Sequence, residues 1–486
     1  MTKALTPPEI TFKALLRLAG PIFIANIAII GSGTIDTIMA GQLGKEHLAA
    51  VALGIASTIS VLMGLVGILQ GLSPIAGHHF GARQFERIGA ELNQSFWLVV
   101  LLALIGVPIL LATDFWIELG DAKGEVAEMA AQYMFWTALA LPGSMAARTF
   151  IAVNAAVSKP RITMWVSLAM LALKAPLNAI FMYGWLGFPA MGGAGAGVSF
   201  FALTYLSLIA YVLIWQFDPY YRRMHPSSWK LPDWKLLKEQ LHVGIPIGLS
   251  TFFEVSSFTL MAIFVSRLGP AIISAHQIVA NLTSMCYMFP LSIGIASSVL
   301  ISQCLGAKWP ALGERVLKRA FALSTTIALL ASLILFFGRS PIIWLYTSEA
   351  AVHDLAVKLI LFGCCYHVFD ALQTVSSFSL RGYRVTTVPM IIYGVMLWGV
   401  GLGLGYQMAF HGEWAGGPSV QRLRLLGHDL DRCLFLTAPR LPSWQPGCPK
   451  PSRRTTRTRL RKSQPHSSTS GKNADVYGRL SRTSAA

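Results

Sequence analysis

Charge is scarce in this sequence. Asp, Glu, Lys and Arg make up only 13% of its 486 residues, while hydrophobic residues make up 54%. A soluble domain carries about 25% charged residues, and a disordered chain is poor in apolar ones, so both classes are excluded. The six cysteines (Cys286, Cys304, Cys364, Cys365, Cys433, Cys448) show no metal-ligand spacing and no disulfide framework; those in apolar stretches read as small packing residues. Nucleotide and hydrolase motifs are missing too. There is no P-loop and no H-E-x-x-H. Gly193-Ala-Gly195-Ala-Gly197 follows no strand, and Gly31-Ser32-Gly33 lacks the strand-to-helix turn of a serine nucleophile. No cofactor and no structural metal are implied. No cleavable leader is expected either, because the apolar run behind Lys3, Lys13 and Arg17 is too long for a signal peptide.

What the chain has in abundance is long apolar stretches. Eleven of them, near 14–38, 48–72, 93–113, 126–147, 160–183, 191–215, 242–265, 273–301, 318–337, 352–380 and 386–410, are long enough to cross roughly 30 Å of hydrocarbon as helices. Lys and Arg cluster in alternate loops: the N-terminus, Arg83 and Arg87, then Arg148, Lys159 and Arg161, then the 216–241 segment, then Lys308 to Arg319, then Arg381 and Arg384. Cytoplasmic loops hold the excess of positive charge, so the N-terminus is expected in the cytoplasm.

Residues 17–83 and 242–308 repeat one pattern at a fixed offset of 225. Leu43-Gly44 answers Leu268-Gly269, Ser73 answers Ser298, and Gly81-Ala82-Arg83 answers Gly306-Ala307-Lys308. The chain is therefore expected to be an all-α polytopic membrane protein of two homologous six-helix bundles, residues 1–215 and 242–418, joined by a cytoplasmic linker at 216–241. Repeats of one topology are related by an axis along the membrane normal and work by moving around a site held between them, which points to transport.

Of the net charge of +17, +11 falls on residues 420–486, so the basic balance is no sign of nucleic-acid binding. After Pro418 the chain turns polar, basic and Pro-rich, and no further apolar span follows, so the sixth helix of the second half is expected to be missing. Residues 419–486 are expected to be a disordered tail, the product of a shifted reading frame or an altered gene end; another frame downstream of Pro418 should then encode about 20 apolar residues.

An ionised side chain at mid-bilayer costs around 2.5 to 3.5 kcal/mol, which makes it a functional candidate. Asp36, Glu254 and Asp370 qualify. Tyr366 lies one helical turn before Asp370 on its face, and Gln277 and Asn281 share another face by the same spacing, adding neutral oxygens. Two carboxylates with neutral oxygens suit a hard cation such as Na⁺, and the same acids could carry H⁺ instead. Lys174 and Asn178 also share a face. Lys174 is too deep to snorkel, and Asp36 is the one acid in the membrane part of its half, so an ion pair between them is expected. In the repeat register Asp36 corresponds to Met261 and Glu254 to Ile29, so two distinct polar sites are expected, one per half. Phe252, Phe253, Phe258, Met261, Met285, Tyr287, Met288 and Phe289 could line a cavity for apolar cations.

The set formed by Gly20-Pro21, Asp36, Gly81-Ala82, the run from Ala175 to Gly184 with Asn178, Gly192 to Gly197, and Glu254 with Tyr366 and Asp370 resembles the NorM-type branch of the multidrug and toxic compound extrusion (MATE) family over residues 10–418. The resemblance implies an inner-membrane antiporter that exports cationic or amphipathic drugs in exchange for Na⁺ or H⁺ and is not an enzyme. It implies a cation site at Glu254, Tyr366 and Asp370 and a site in the first half at Asp36 and Asn178. Lys174 stands where that pattern leads one to expect a small polar residue, and a fixed ammonium would compete with an ion there. The implied partners are small cationic substrates and the lipid bilayer, with no nucleic acid and no obligate protein. Two alternatives are carried: a flippase for a lipid-linked or peptidic substrate, which would need several deep Lys or Arg where only Lys174 is deep, and an intramembrane hydrolase using an Asp36–Asp370 dyad.

Overall fold

The helices follow the apolar stretches: α1 (Phe12–Leu43), α2 (Lys45–Leu69), α3 (Leu72–Gly81), α4 (Phe85–Leu111), short α5 (Thr113–Leu119), α6 (Glu125–Ala156), α7 (Pro160–Tyr183) and α8 (Ala194–Phe217) in the first half, then α9 (Trp234–Ser266), α10 (Pro270–Gly306), α11 (Pro310–Trp344), α12 (Ala350–Gly382) and α13 (Thr387–Tyr393) in the second. Helix α13 continues as a π-helical stretch, Gly394–Leu404. The computed structural model describes residues 11–225, 230–404 and 406–407, so the expected tail and the end of the second bundle lie outside the described residues. Among the described residues there is no strand.

Counting α2 with α3 and α13 with its π-helical extension, ten helices among the described residues are long and apolar enough to cross a membrane. The eleventh expected span, α6, falls short on hydropathy, and its surroundings explain why. Nineteen of its 32 residues are buried, mostly against α2, α4 and α8, so protein rather than lipid faces it and alanine, glycine and threonine suffice. Proline opens α7, α10 and α11, where its missing N–H costs nothing.

The duplication is written in the backbone as well as the side chains. Gly44 and Gly269, 225 apart, have φ of 140° and 110°, and Arg83 and Lys308, again 225 apart, have φ of 59° and 61°. The same turn recurs at Ser158 and Arg384, both at 60°. These turns sort by end. Arg83, Ser158, Lys308 and Arg384 all lie at the end where α1 begins and where Lys and Arg concentrate, here the basic end; the glycine turns lie at the opposite end.

At the basic end the halves touch through related positions. A Cβ on Gly81 would strike the Gln303 carbonyl, and one on Gly306 would strike the His78 carbonyl. Each contact maps onto the other at the offset of 225, and Gly77 faces its own counterpart, Ser302. The interface thus carries the twofold relation of the repeats. Gly67 of α2 and Gly71, just before α3, lie against Gly248 and Gly244 of α9, backbone to backbone. Gln303 Nε2 fastens the closure by donating to Ala156 O at 2.7 Å.

The linker is stitched to the first half. Gln94 donates to Leu231 O and accepts from Asp233 N, Trp97 donates to Lys230 O, and Gln240 Nε2 donates to Glu91 Oε2 at 2.7 Å. Because α9 begins at Trp234, the last residues of the 216–241 segment are already helical. Asn154, within α6, accepts from Tyr221 of the linker at 2.6 Å, which is a packing role.

Candidate functional site

A cavity of about 810 Å³ lies between the halves, above the closed basic end. Drug-sized sites run from about 300 to 1,000 Å³. Its floor is formed by residues such as Gln70, Ser298 and Arg381, and its wall on the second half rises to Met261 and Gln277, within two turns of the opposite ends of α9 and α10. Ile29 and Glu254, which occupy the same register position in the two repeats, both line it.

The structure gathers Glu254, Tyr366, Asp370 and Gln277 on this cavity. Glu254 comes from mid-α9, while Tyr366 and Asp370 come from α12 one turn apart. Tyr287 of α10 donates to Glu254 Oε1 at 3.2 Å and interacts electrostatically with Asp370 as well. Tyr393, at the end of α13, interacts with both acids and with Arg381. Phenol groups thus lie near both carboxylates. The spacing argument singled out neither as a ligand; Tyr287 entered only as a cavity aromatic, and a lone tyrosine near a helix end, such as Tyr393, carries no distinguishing pattern.

Asn281 lies elsewhere. It accepts from Tyr346 at 3.0 Å and does not line the cavity, so the pairing with Gln277 on one helix face does not make a ligand pair. Of the apolar candidates Phe258, Met261, Tyr287 and Met288 line the cavity, whereas Phe289 stacks on Phe23 at 4.2 Å and Phe252 and Phe253 pack against Trp398.

Asp36, Lys174 and Asn178 form a separate cluster between α1 and α7. Lys174 Nζ lies 2.9 Å from Asp36 Oδ1, and Asn178 Nδ2 donates to the same oxygen at 2.7 Å. All three are buried and none lines the cavity. The acid is already matched by one ammonium, which leaves no uncompensated charge there for a coupling ion. A dyad of Asp36 with Asp370 does not form, which removes the geometry that an aspartyl hydrolase needs.

Two arginines are the largest departure from the sequence reading. Arg148 and Arg381, both counted as topogenic loop charges, line the cavity, and Lys174, expected to be the deep cation, does not. Arg148 sits eight residues before the end of α6, about 12 Å in at 1.5 Å per residue. Arg381 occupies the last turn of α12, buried over Phe378 at 4.1 Å and donating to Gln70 Oε1 at 3.2 Å. An arginine near a helix end reads from sequence as a surface charge; that the end is sealed by the other half cannot be read locally.

The same architecture is found in known proteins. The MatE family model matches residues 21–180 and 246–407, the two repeats in turn. The chain is 38% identical over 414 residues to the probable multidrug resistance protein NorM of Aromatoleum aromaticum, covering 84% of this chain and 89% of that one. It is 31% identical over 413 residues to the multidrug resistance protein MdtK of Edwardsiella ictaluri, covering 84% and 90%. Among solved structures, the eukaryotic MATE transporter AtDTX14 superimposes with a TM-score of 0.79 at 20% identity over 87% of this chain and 94% of its own. The Vibrio cholerae MATE transporter VcmN in its bent form does so with 0.75 at 17% over 87% and 95%. With both repeats matched and the helical architecture shared, the chain belongs to the MATE family, in its NorM-type branch.

Proposed function

We propose that this protein is a secondary antiporter of a bacterial inner membrane that exports cationic or amphipathic drugs in exchange for Na⁺ or H⁺. One observation carries the reading: the two acids of the second half, Glu254 and Asp370, share the wall of a single cavity between the halves, while Asp36 is neutralised by Lys174 away from it. Relatives named as multidrug resistance proteins support the substrate class.

The mechanism follows from competition for charge. A cationic substrate is held by Glu254 and Asp370 against the apolar wall of Phe258, Met261 and Met288. A coupling ion entering from the other side, with Tyr366 and Tyr287 as neutral oxygen donors, neutralises those carboxylates and releases the substrate. Rocking of the halves then carries the site across. The excess of Lys and Arg at the basic end supports placing that end and the N-terminus in the cytoplasm. In that orientation the Gly81 and Gly306 contacts close the cytoplasmic side and the cavity faces outward. Uptake of a fluorescent cation into proteoliposomes under separately imposed Na⁺ and H⁺ gradients tests the reading and identifies the ion; no gradient-driven uptake with either would overturn it.

The flippase alternative gains the two cavity arginines. Glu254 and Asp370 on the same wall oppose it, because a diphosphate head would be repelled by both.

A further inference from the structure

The repeats meet at the basic end along two seams that the duplication makes equivalent and the side chains make different. On one, α9 is held to α4: Gln240 is bonded to Glu91 and Ser95, and Leu237 and Leu241 pack onto the core around α4. The matching seam, at the offset of 225, brings α1 against α11. There Leu15, Val316 and Ala320 stand for Gln240, Glu91 and Ser95, and all three are buried in one apolar core. Phe12 and Leu16, the counterparts of Leu237 and Leu241, are left 47% and 48% exposed.

Beside that uncovered strip stand two arginines. Arg315 and Arg319 lie one turn apart on α11, where α4 has Ala90 and Gln94, and the Arg319 guanidinium lies over the Phe12 ring at 5.8 Å. In the first seam Gln94 is occupied by Leu231 and Asp233 of the linker. Here, among the described residues, no carboxylate lies within ion-pair distance of either arginine, and the adjacent acid, Glu314, is taken by Lys318 at 2.7 Å. Orienting the hairpin does not require these two charges, since the matching hairpin of the first half has no cation at either position.

Guanidinium forks suit phosphate oxygens, and the ends of spanning helices stand at the level of the lipid headgroups. An exposed apolar strip beside them has a use for an acyl chain and none for a free ion. We propose that the seam between α1 and α11 binds one anionic phospholipid of the leaflet at the basic end, with its phosphate on Arg315 and Arg319 and a chain along Phe12 and Leu16. The lipid then touches both halves, and does for this seam what the Gln240 hydrogen bonds do for the other.

Native mass spectrometry of the purified full chain counts bound lipids one at a time. The wild type should take up a first phosphatidylglycerol about tenfold more tightly than phosphatidylcholine. Arg315→Gln with Arg319→Gln should weaken that first phosphatidylglycerol by about tenfold to a hundredfold and leave phosphatidylcholine within about twofold. Arg222→Gln with Lys318→Gln removes the same charge at the same end and should leave the first phosphatidylglycerol within about twofold. Leu16→Gln should weaken it severalfold with both arginines in place. Equal losses in the two double variants would mean that net charge alone attracts the lipid, and no loss in the arginine pair or in Leu16→Gln would place the lipid elsewhere; each result overturns the site. Displacement of the lipid by millimolar inorganic phosphate would overturn it as well, because the apolar strip would then play no part.

Discussion

Lys174 and Asp36 are joined at 2.9 Å with side chains only 1% and 6% exposed, and the oxygen they share also accepts from Asn178. Breaking such a pair from one side leaves a bare buried charge, whereas replacing both partners removes the problem. Asp36→Asn should therefore destabilise the protein by about 3 to 5 kcal/mol, and adding Lys174→Met should restore part of the loss. Folded yield by size exclusion is the readout; additive losses would show that the two residues do not interact.

If this cluster is structural, it is dispensable for coupling. The double variant Asp36→Asn with Lys174→Met should retain ion-driven efflux per folded molecule, while Glu254→Gln or Asp370→Asn should abolish it and leave membrane insertion intact. Full efflux in both single variants of the second half would place the coupling elsewhere.

How much of this was legible beforehand depends on the kind of residue. The duplication, the span count and the acids stood out because charge is rare in apolar stretches and the register of the repeats needs no gaps. The Asp36–Lys174 contact followed from depth alone, since a deep ammonium leaves few choices. Arg148, Tyr393 and the misplaced Asn281 were hidden for one reason: spacing fixes which residues share a face of a helix, but not which neighbour that face meets. Gln277 and Asn281 are one turn apart, and the cavity edge falls between them.

The contacts of Gly81 and Gly306 predict a gating phenotype. Valine at either position must displace a carbonyl of the other half, at a cost of about 1 to 3 kcal/mol for overpacking. The basic end should loosen, and a Ser302→Cys probe in a cysteine-free background should label severalfold faster from that side. Unchanged labelling in both variants would mean that the closure tolerates added bulk.

The linker stitch makes a separate claim. Glu91 is 2% and Gln240 1% exposed, and Ser95 Oγ donates to Gln240 Oε1 at 2.9 Å. Glu91→Ala takes the carboxylate from the Gln240 amide but leaves it the Glu91 carbonyl at 2.9 Å, and should lower stability by about 1 to 3 kcal/mol; Gln240→Leu in that background should add less than it does alone. Thermal unfolding in detergent, run as a double-mutant cycle, checks it.

The left-handed turns at the basic end set two demands against each other at the same positions. An L-residue in that conformation costs roughly 1 to 2 kcal/mol, and glycine would remove the cost, yet three of the four positions are Arg83, Lys308 and Arg384. On the proposed orientation, each supplies a positive charge of the kind that biases which way a helix pair enters the membrane. Glycine there would favour the turn once folded while weakening the instruction that orients the hairpin during insertion, so a search for stabilising mutations at these sites would select against correct assembly.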